Sequence, residues 1–211
     1  MIFLNKSWKV IIAIIIIIIV ICLGTILYKI KQQINHEKDY ENRYNQITSN
    51  PKEIEKKWLI DETNIPYNLK NAEIYVIEQT YICFSPEIRV RRINGGEQYT
   101  FAVKANMSSD GMVRDEYEIN ITAEEYYDLL TKKIQDTITI NKVRYQFYAE
   151  GQILAIDIFE GELKGLAYLE IEFPNEEEAR AFSGHSWVIK DVTSDKRYKN
   201  QSLAKYGIPE E

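Results

Sequence analysis

The chain has 211 residues with 26 Lys and Arg against 32 Asp and Glu, a net charge of −6, which excludes a nucleic-acid binder that works by bulk electrostatics. Two cysteines, Cys22 and Cys83, cannot make a disulfide framework, and two histidines, His36 and His185, are too isolated for a zinc site or a Cys/His catalytic pair. The first fifty or so residues differ in composition from the rest, and the remainder is one domain's worth of chain.

From Val10 to Tyr28 run nineteen uncharged residues, mostly isoleucine, closed by Lys9 and Lys29. As a helix this stretch spans roughly 28 Å, enough for the hydrocarbon core of a bilayer. It reads as a transmembrane anchor; a cleaved signal peptide fits less well, because the run is long for one and no Ala-x-Ala site follows. Lys29, Lys31, Lys38 and Arg43 outnumber Lys6 and Lys9 across the span, which predicts a single-pass protein with its folded body in the cytoplasm. Residues 29–50 hold too few aliphatics for a core and read as a linker or a solvated juxtamembrane helix, ended by Asn50-Pro51. The expected division is therefore 1–28, 29–50 and 51–211.

The segment Glu53-Ile54-Glu55-Lys56-Lys57-Trp58-Leu59-Ile60 opens the body. As a strand it sets Glu53, Glu55 and Lys57 on one face and Ile54, Trp58 and Ile60 on the other. A polar loop over 61–70 leads to a second strand over 74–84. Residues 88–93 then place Arg89 and Arg91 together, Asn94-Gly95-Gly96 makes a turn, and the returning strand sets Thr100, Ala102 and Lys104 opposite Tyr99, Phe101 and Val103. Arg114, Glu116 and Glu118 alternate with Tyr117 and Ile119. Residues 122–132 read as a helix with Thr122 as cap and Glu125 at the capping-box position. A strand over 137–148 carries Lys142, Arg144 and Gln146 on one face, one over 153–159 carries Asp157, and one over 166–173 carries Tyr168, Glu170 and Glu172. Asn175 caps a short helix over 176–182; residues 188–193 suggest a further strand or turn, and 198–206 a last helix.

The same period-two split between charged and large apolar residues in every strand predicts an α+β, mainly β, domain. Its core reads as one closed sheet with a charged interior, since eight strands or so can close into a barrel wide enough for side chains and one small ligand. Desolvated ions need partners, so such a lumen makes sense when filled by water, metal and a polyanion. Lysines and arginines converging from several strands suit a chain of phosphates, and clustered carboxylates suit Mg²⁺ or Mn²⁺. Together they describe phosphoryl transfer by positioning and charge neutralisation.

In order, Glu53-x-Glu55-x-Lys57, Arg89-x-Arg91, Lys104, Arg114-x-Glu116-x-Glu118, Lys142-x-Arg144, Asp157 and Glu170-x-Glu172, then Val192-Thr193 before Arg197-Tyr198-x-Asn200, run from residue 53 to about 204. This series resembles the CYTH domain of the triphosphate tunnel metalloenzymes, which implies an eight-stranded antiparallel closed tunnel (barrel) with a few flanking helices. The resemblance implies that Lys57, Arg89, Arg91, Lys104 and Arg144 cradle phosphates with Arg114 and Lys142 as helpers, and that Arg197 or Lys199 of the tail adds a further cation. It implies metal held by Glu53, Glu55, Asp157, Glu170 and Glu172, with Glu116 and Glu118 ordering water or a second ion. Lys57, Glu116, Glu118 and Arg144 are then the candidate catalytic residues. One Mg²⁺ or Mn²⁺ would neutralise a bound triphosphate and a second would activate water for in-line attack.

The implied activity is metal-dependent hydrolysis of a triphosphate compound: inorganic tripolyphosphate, or a nucleoside or thiamine triphosphate. The implied partners are that small molecule and a membrane met through residues 10–28, without nucleic acid. A class IV adenylyl cyclase-like lyase and a non-catalytic, membrane-tethered polyphosphate-binding module are the alternatives. Unlike the soluble members of the family, this chain carries an N-terminal anchor.

Overall fold

The computed structural model describes residues 6–48, 52–105 and 107–210, so the expected Asn50-Pro51 break lies outside the described residues. The chain divides into two compact units, one ending at Asn42 and the other beginning at Arg43.

Helix α1 (Lys6–Thr48) makes up the first unit and gives its last six residues to the second. No proline occurs before residue 51, so nothing interrupts the backbone hydrogen bonds, and the polar residues expected as a linker or separate helix continue the apolar one. The isoleucines from Ile14 to Ile19 are exposed. The helix is long and apolar enough to cross a membrane.

The second unit is a closed antiparallel barrel. Its strands are β1 (Lys52–Leu59), β2 (Glu73–Phe84), β3 (Glu87–Ile93), β4 (Gln98–Ala105), β5 (Val113–Ile121), β6 (Ile140–Ala149), β7 (Gln152–Glu160) and β8 (Ala167–Glu172). They lie in the order β5-β4-β3-β2-β6-β7-β8-β1, and β1 pairs back onto β5 to close the ring, while the two-residue β9 (Lys190–Asp191) adds to the end of β1. The tight β3–β4 turn uses positive φ at Asn94 (49°), Gly95 (70°) and Gly96 (114°), where small residues pay the least steric penalty. The strand expected from residue 137 starts at Ile140, because Asp136 takes a φ of 59° and the Ile138 amide donates to the Ala204 carbonyl instead of a strand.

Since strand residues alternate, one face of every strand lines the lumen and the other packs outward. Outside β1, β7 and β8, the residues Ile54, Trp58, Leu154, Ile156, Leu169 and Ile171 form an apolar core. Two segments roof it. One is the 61–72 loop, which supplies Ile65, Tyr67 and Leu69 and is thus less polar in role than its composition suggests; the other is 175–188, which begins with helix α3 (Glu176–Ala181) and supplies Phe182 and Trp187. A second core closes one end of the barrel, where Tyr81, Ile140, Phe159 and Tyr168 meet Leu203 and Ala204 of helix α4 (Asn200–Tyr206). Helix α2 (Ala123–Leu130) starts with the expected capping box between Thr122 and Glu125 and buries Tyr126. Such a cap contributes about 1 kcal/mol.

Candidate active site

The strand register decides which charges meet inside the barrel. Directly opposed across neighbouring strands are Glu53 and Arg114, Lys57 and Glu170, Lys104 and Glu116, and Arg144 and Asp157. Each joins opposite signs, the arrangement that stabilises cross-strand pairs. One pair breaks the rule: Glu55 on β1 stands opposite Glu172 on β8.

Around these pairs the side chains form a continuous network. Lys104 holds Glu53 at 2.7 Å and Glu116 at 3.0 Å, and Arg114 bonds Glu53 from the other side. Arg89 meets Glu116 at 2.9 Å, and Arg91 meets Glu118 at 3.0 Å while donating from Nε to Gln79. Arg144 bonds Asp157 with two nitrogens and Glu170 with one of them; Lys57 holds Glu170 at 2.7 Å, and Lys142 bonds Asp157. Burial alone would raise the Glu53 carboxyl, but the charges of Arg114 and Lys104 outweigh it and hold it well below the usual carboxylate range. The same contest at Glu170, decided by Lys57, Lys142 and Arg144, ends the same way. Burial and the neighbouring Arg114 and Arg89 lower the Lys104 ammonium, against the pull of Glu53.

A cavity of about 550 Å³ opens inside the ring. Arg89, Arg91, Lys104, Arg114 and Arg144 line it, and so do Glu53, Glu55, Glu116, Glu118, Glu170 and Glu172. Four residues expected in the site do not reach its wall. Lys57 lies behind Glu55 and Glu170, with its ammonium 4.9 Å from the centre of the Tyr168 ring. Lys142 and Asp157 are fully buried against each other, and burial lowers Lys142 to about 8 although Asp157 opposes the shift. Arg197 is on the surface, its guanidinium held by Asp195 at 2.8 Å.

The cation that the tail does bring inward is Lys199. It is buried, donates to the Gly111 carbonyl at 2.8 Å, and is lowered to about 8 by burial and by Lys57. With Lys196 it lines a second cavity of about 460 Å³ that shares Lys104 and Arg114 with the first. Gln79, Gln146 and Asn200 also belong to the lumen or its wall; from sequence alone Gln146 and Asn200 are placed without a role and Gln79 is not named. Gln79 and Gln146 sit on the inward period of their strands, but a search for charges alone passes over neutral amides.

Among the described residues no three His, Cys, Asp or Glu are gathered into a ready metal cluster. The chemistry at Glu55 and Glu172 nevertheless fits a divalent cation. Glu55 Oε1 is buried without a hydrogen-bond partner. Glu172 is exposed to the solvent of the lumen but ringed by protein, and the partial loss of bulk water there, then the charges of Glu53 and Glu55, push its carboxyl up to about 8. Asp157 fits less well, because lysine and arginine already occupy both its oxygens; Glu170 is ion-paired with Lys57 and Arg144, although its Oε1, like that of Glu55, makes no hydrogen bond.

The Glu172 shift has a measurable sign. Between the unfolded value of 4.5 and the folded value of about 8, the folded state keeps a proton that the unfolded chain has released, so stability falls as pH rises through that window. In chelator, the Tm of the protein relative to its Glu172→Gln variant is expected to decline steadily over that range. A difference that stays flat or rises with pH would contradict the protonated Glu172.

Known proteins resemble this chain in sequence and fold. The CYTH domain model matches residues 51–198. An inorganic triphosphatase of Nitrosomonas europaea is 33% identical over 158 residues, covering 72% of this chain and 96% of that protein. One of Acetivibrio thermocellus is 36% identical over 156 residues, covering 73% and 94%. The crystal structure of an inorganic triphosphatase aligns with a TM-score of 0.52 at 31% identity, over 72% of this chain and 93% of the other. A conserved hypothetical protein from Pyrococcus furiosus, at 22% identity, TM-score 0.50 and coverage of 61% and 84%, shares the fold.

Proposed function

Since this chain belongs to the CYTH domain family, we propose that it is a metal-dependent hydrolase of triphosphate compounds, inorganic tripolyphosphate foremost, which it cleaves inside the barrel. The observation that carries this reading is the Glu55–Glu172 pair: two carboxylates forced together in a ring otherwise built of matched charges. Mere anion binding would need the cations and would be hindered by that pair. The relatives named inorganic triphosphatases support the substrate class.

In this reading Arg89, Arg91, Lys104, Arg114 and Arg144 bind the phosphates, the arginines with forked contacts, exchanging carboxylate partners for phosphate oxygens. Lys199 extends the cationic wall toward the second cavity. Lys57 and Lys142 act from behind: Lys57 orients Glu170, and Lys142 with Asp157 fixes the guanidinium of Arg144. Glu55 and Glu172, with Glu53 adjacent, hold the ion, Mg²⁺ or Mn²⁺. When bound, that ion supplies Lewis-acid charge to the phosphate oxygens and makes a water more nucleophilic at neutral pH. Glu116 and Glu118, steadied by Arg89, Lys104 and Arg91, orient the water that attacks the terminal phosphorus and accept its proton as the bridging P–O bond breaks. Orthophosphate and pyrophosphate leave. Residues 10–28 tether the enzyme to a membrane, a role that the long apolar helix supports.

Detergent-solubilised full chain is expected to release phosphate from tripolyphosphate with Mg²⁺ or Mn²⁺ and to stop in chelator. If tripolyphosphate raises the Tm but no phosphate appears with either ion, the protein is a tethered binding module and the hydrolase reading is wrong.

A further inference from the structure

The family match begins at residue 51, yet the cavity wall extends beyond it. Tyr44, Ile47 and Thr48, from the end of α1, line the same cavity as Arg144, Gln146, Ile153 and Ala155. The segment 43–48 belongs to the compact unit of the barrel. Arg43 pins it there. This guanidinium is 9% exposed and donates to Glu178 Oε2 at 2.7 Å and to Gln152 Oε1 at 2.5 Å, so it ties the helix end to α3 and to the start of β7. Burial would raise the Glu178 carboxyl, but the Arg43 hydrogen bond prevails and holds it below its ordinary value, so the clamp is ionic.

What the segment brings to the cavity differs from the rest of the wall. It contributes an aromatic ring, an aliphatic side chain and a hydroxyl, and the last turn of α1 holds no basic residue. The terminal carbonyls of a helix carry partial negative charge, which disfavours an approaching phosphate. The arginines and lysines that neutralise phosphates are on the barrel strands. A substrate that continues past its third phosphate therefore meets bulk, apolar surface and negative dipole where the bare triphosphate meets cations.

We propose that residues 43–48 form a collar, locked by Arg43, that makes the tunnel selective for an unsubstituted triphosphate over longer polyphosphate chains and nucleoside triphosphates. This specificity element lies outside the residues that the family model matches, and it rests on the hydrolase reading above.

The test compares kcat/KM for tripolyphosphate, linear tetrapolyphosphate and ATP in the solubilised full chain, its Arg43→Ala variant, and the charge swap Arg43→Glu with Glu178→Arg. Releasing the collar is expected to shrink the preference for tripolyphosphate over each of the other two by roughly tenfold or more, through gains on the larger substrates, while tripolyphosphate turnover stays within about twofold. The charge swap should recover the wild-type preference, which a general loosening of the fold would not do. A preference that stays within about twofold of wild type in Arg43→Ala overturns the collar. If the wild type turns over none of the three, the hydrolase reading falls separately, and the same comparison is read from ligand-induced Tm shifts: a loss of preference on removing Arg43 sustains the collar, and no change rejects it.

Discussion

Glu55→Gln is expected to lower phosphate release from tripolyphosphate by roughly 10²–10³-fold while leaving the fold intact. The substitution keeps the size of the side chain and removes one negative charge from the only like-charged cross-strand pair found among the described strands' lumen positions. Without a cation and above the Glu172 pKa of about 8, Glu55 and Glu172 repel each other, so at pH 9 the neutral variant should melt at the same temperature as the parent or slightly above it. With Mg²⁺ or Mn²⁺ the order should reverse, because a ligand that binds only the folded state stabilises it in proportion to its affinity. The measurement is therefore double: kcat at saturating metal, and the metal-induced change in Tm. An active variant, or one that keeps the full metal-induced rise, would show that the ion is held elsewhere.

Asp157→Ala is expected to act on stability first. Asp157 is fully buried, and its two oxygens are shared between Lys142 and Arg144. Its removal strands the Lys142 ammonium without its partner and half-frees Arg144. Breaking a buried ion pair on one side costs roughly 3–5 kcal/mol. For a domain of this size that lowers Tm by about 10 °C or more. Adding Lys142→Met should restore a good part of the loss, since the uncompensated ammonium is then gone. The milder Asp157→Asn separates this role from direct metal binding. If Asp157 positions Arg144, the variant loses activity but keeps its metal-induced Tm shift; loss of that shift would return Asp157 to the metal ligands.

The barrel was legible because its strands announce themselves by alternation, and the inward face could be read off each one. Arg89 with Arg91, Lys104, and Glu116 with Glu118 all lie where the period puts them, on the cavity wall. Partnership was harder to read, because it depends on register between strands distant in sequence. Nothing local distinguishes Asp157, consumed by Lys142 and Arg144, from Glu172, which stands opposite another carboxylate, Glu55. The tail shows the same limit at short range. Arg197 and Lys199 are two residues apart, but Asp195 caps the turn over 196–198 and captures Arg197 outside, leaving Lys199 to face inward. The apolar cover from 61–72 and the collar at 43–48 were hidden in segments whose composition is polar, since a few well-placed apolar residues do the packing.

Closure of the ring through β1 also shapes how the domain must be made. β1 is the first strand synthesised, yet its ladder partner β8 is the last of the eight, so the barrel cannot shut until nearly the whole domain has emerged. Such non-local pairing is slow, and unpaired strand edges invite association between chains. During that wait β1 exposes Glu53, Glu55 and Lys57 to water, where their charges cost nothing and discourage another strand from docking. The residues that later face the phosphates thus first serve as guards of an unfinished sheet.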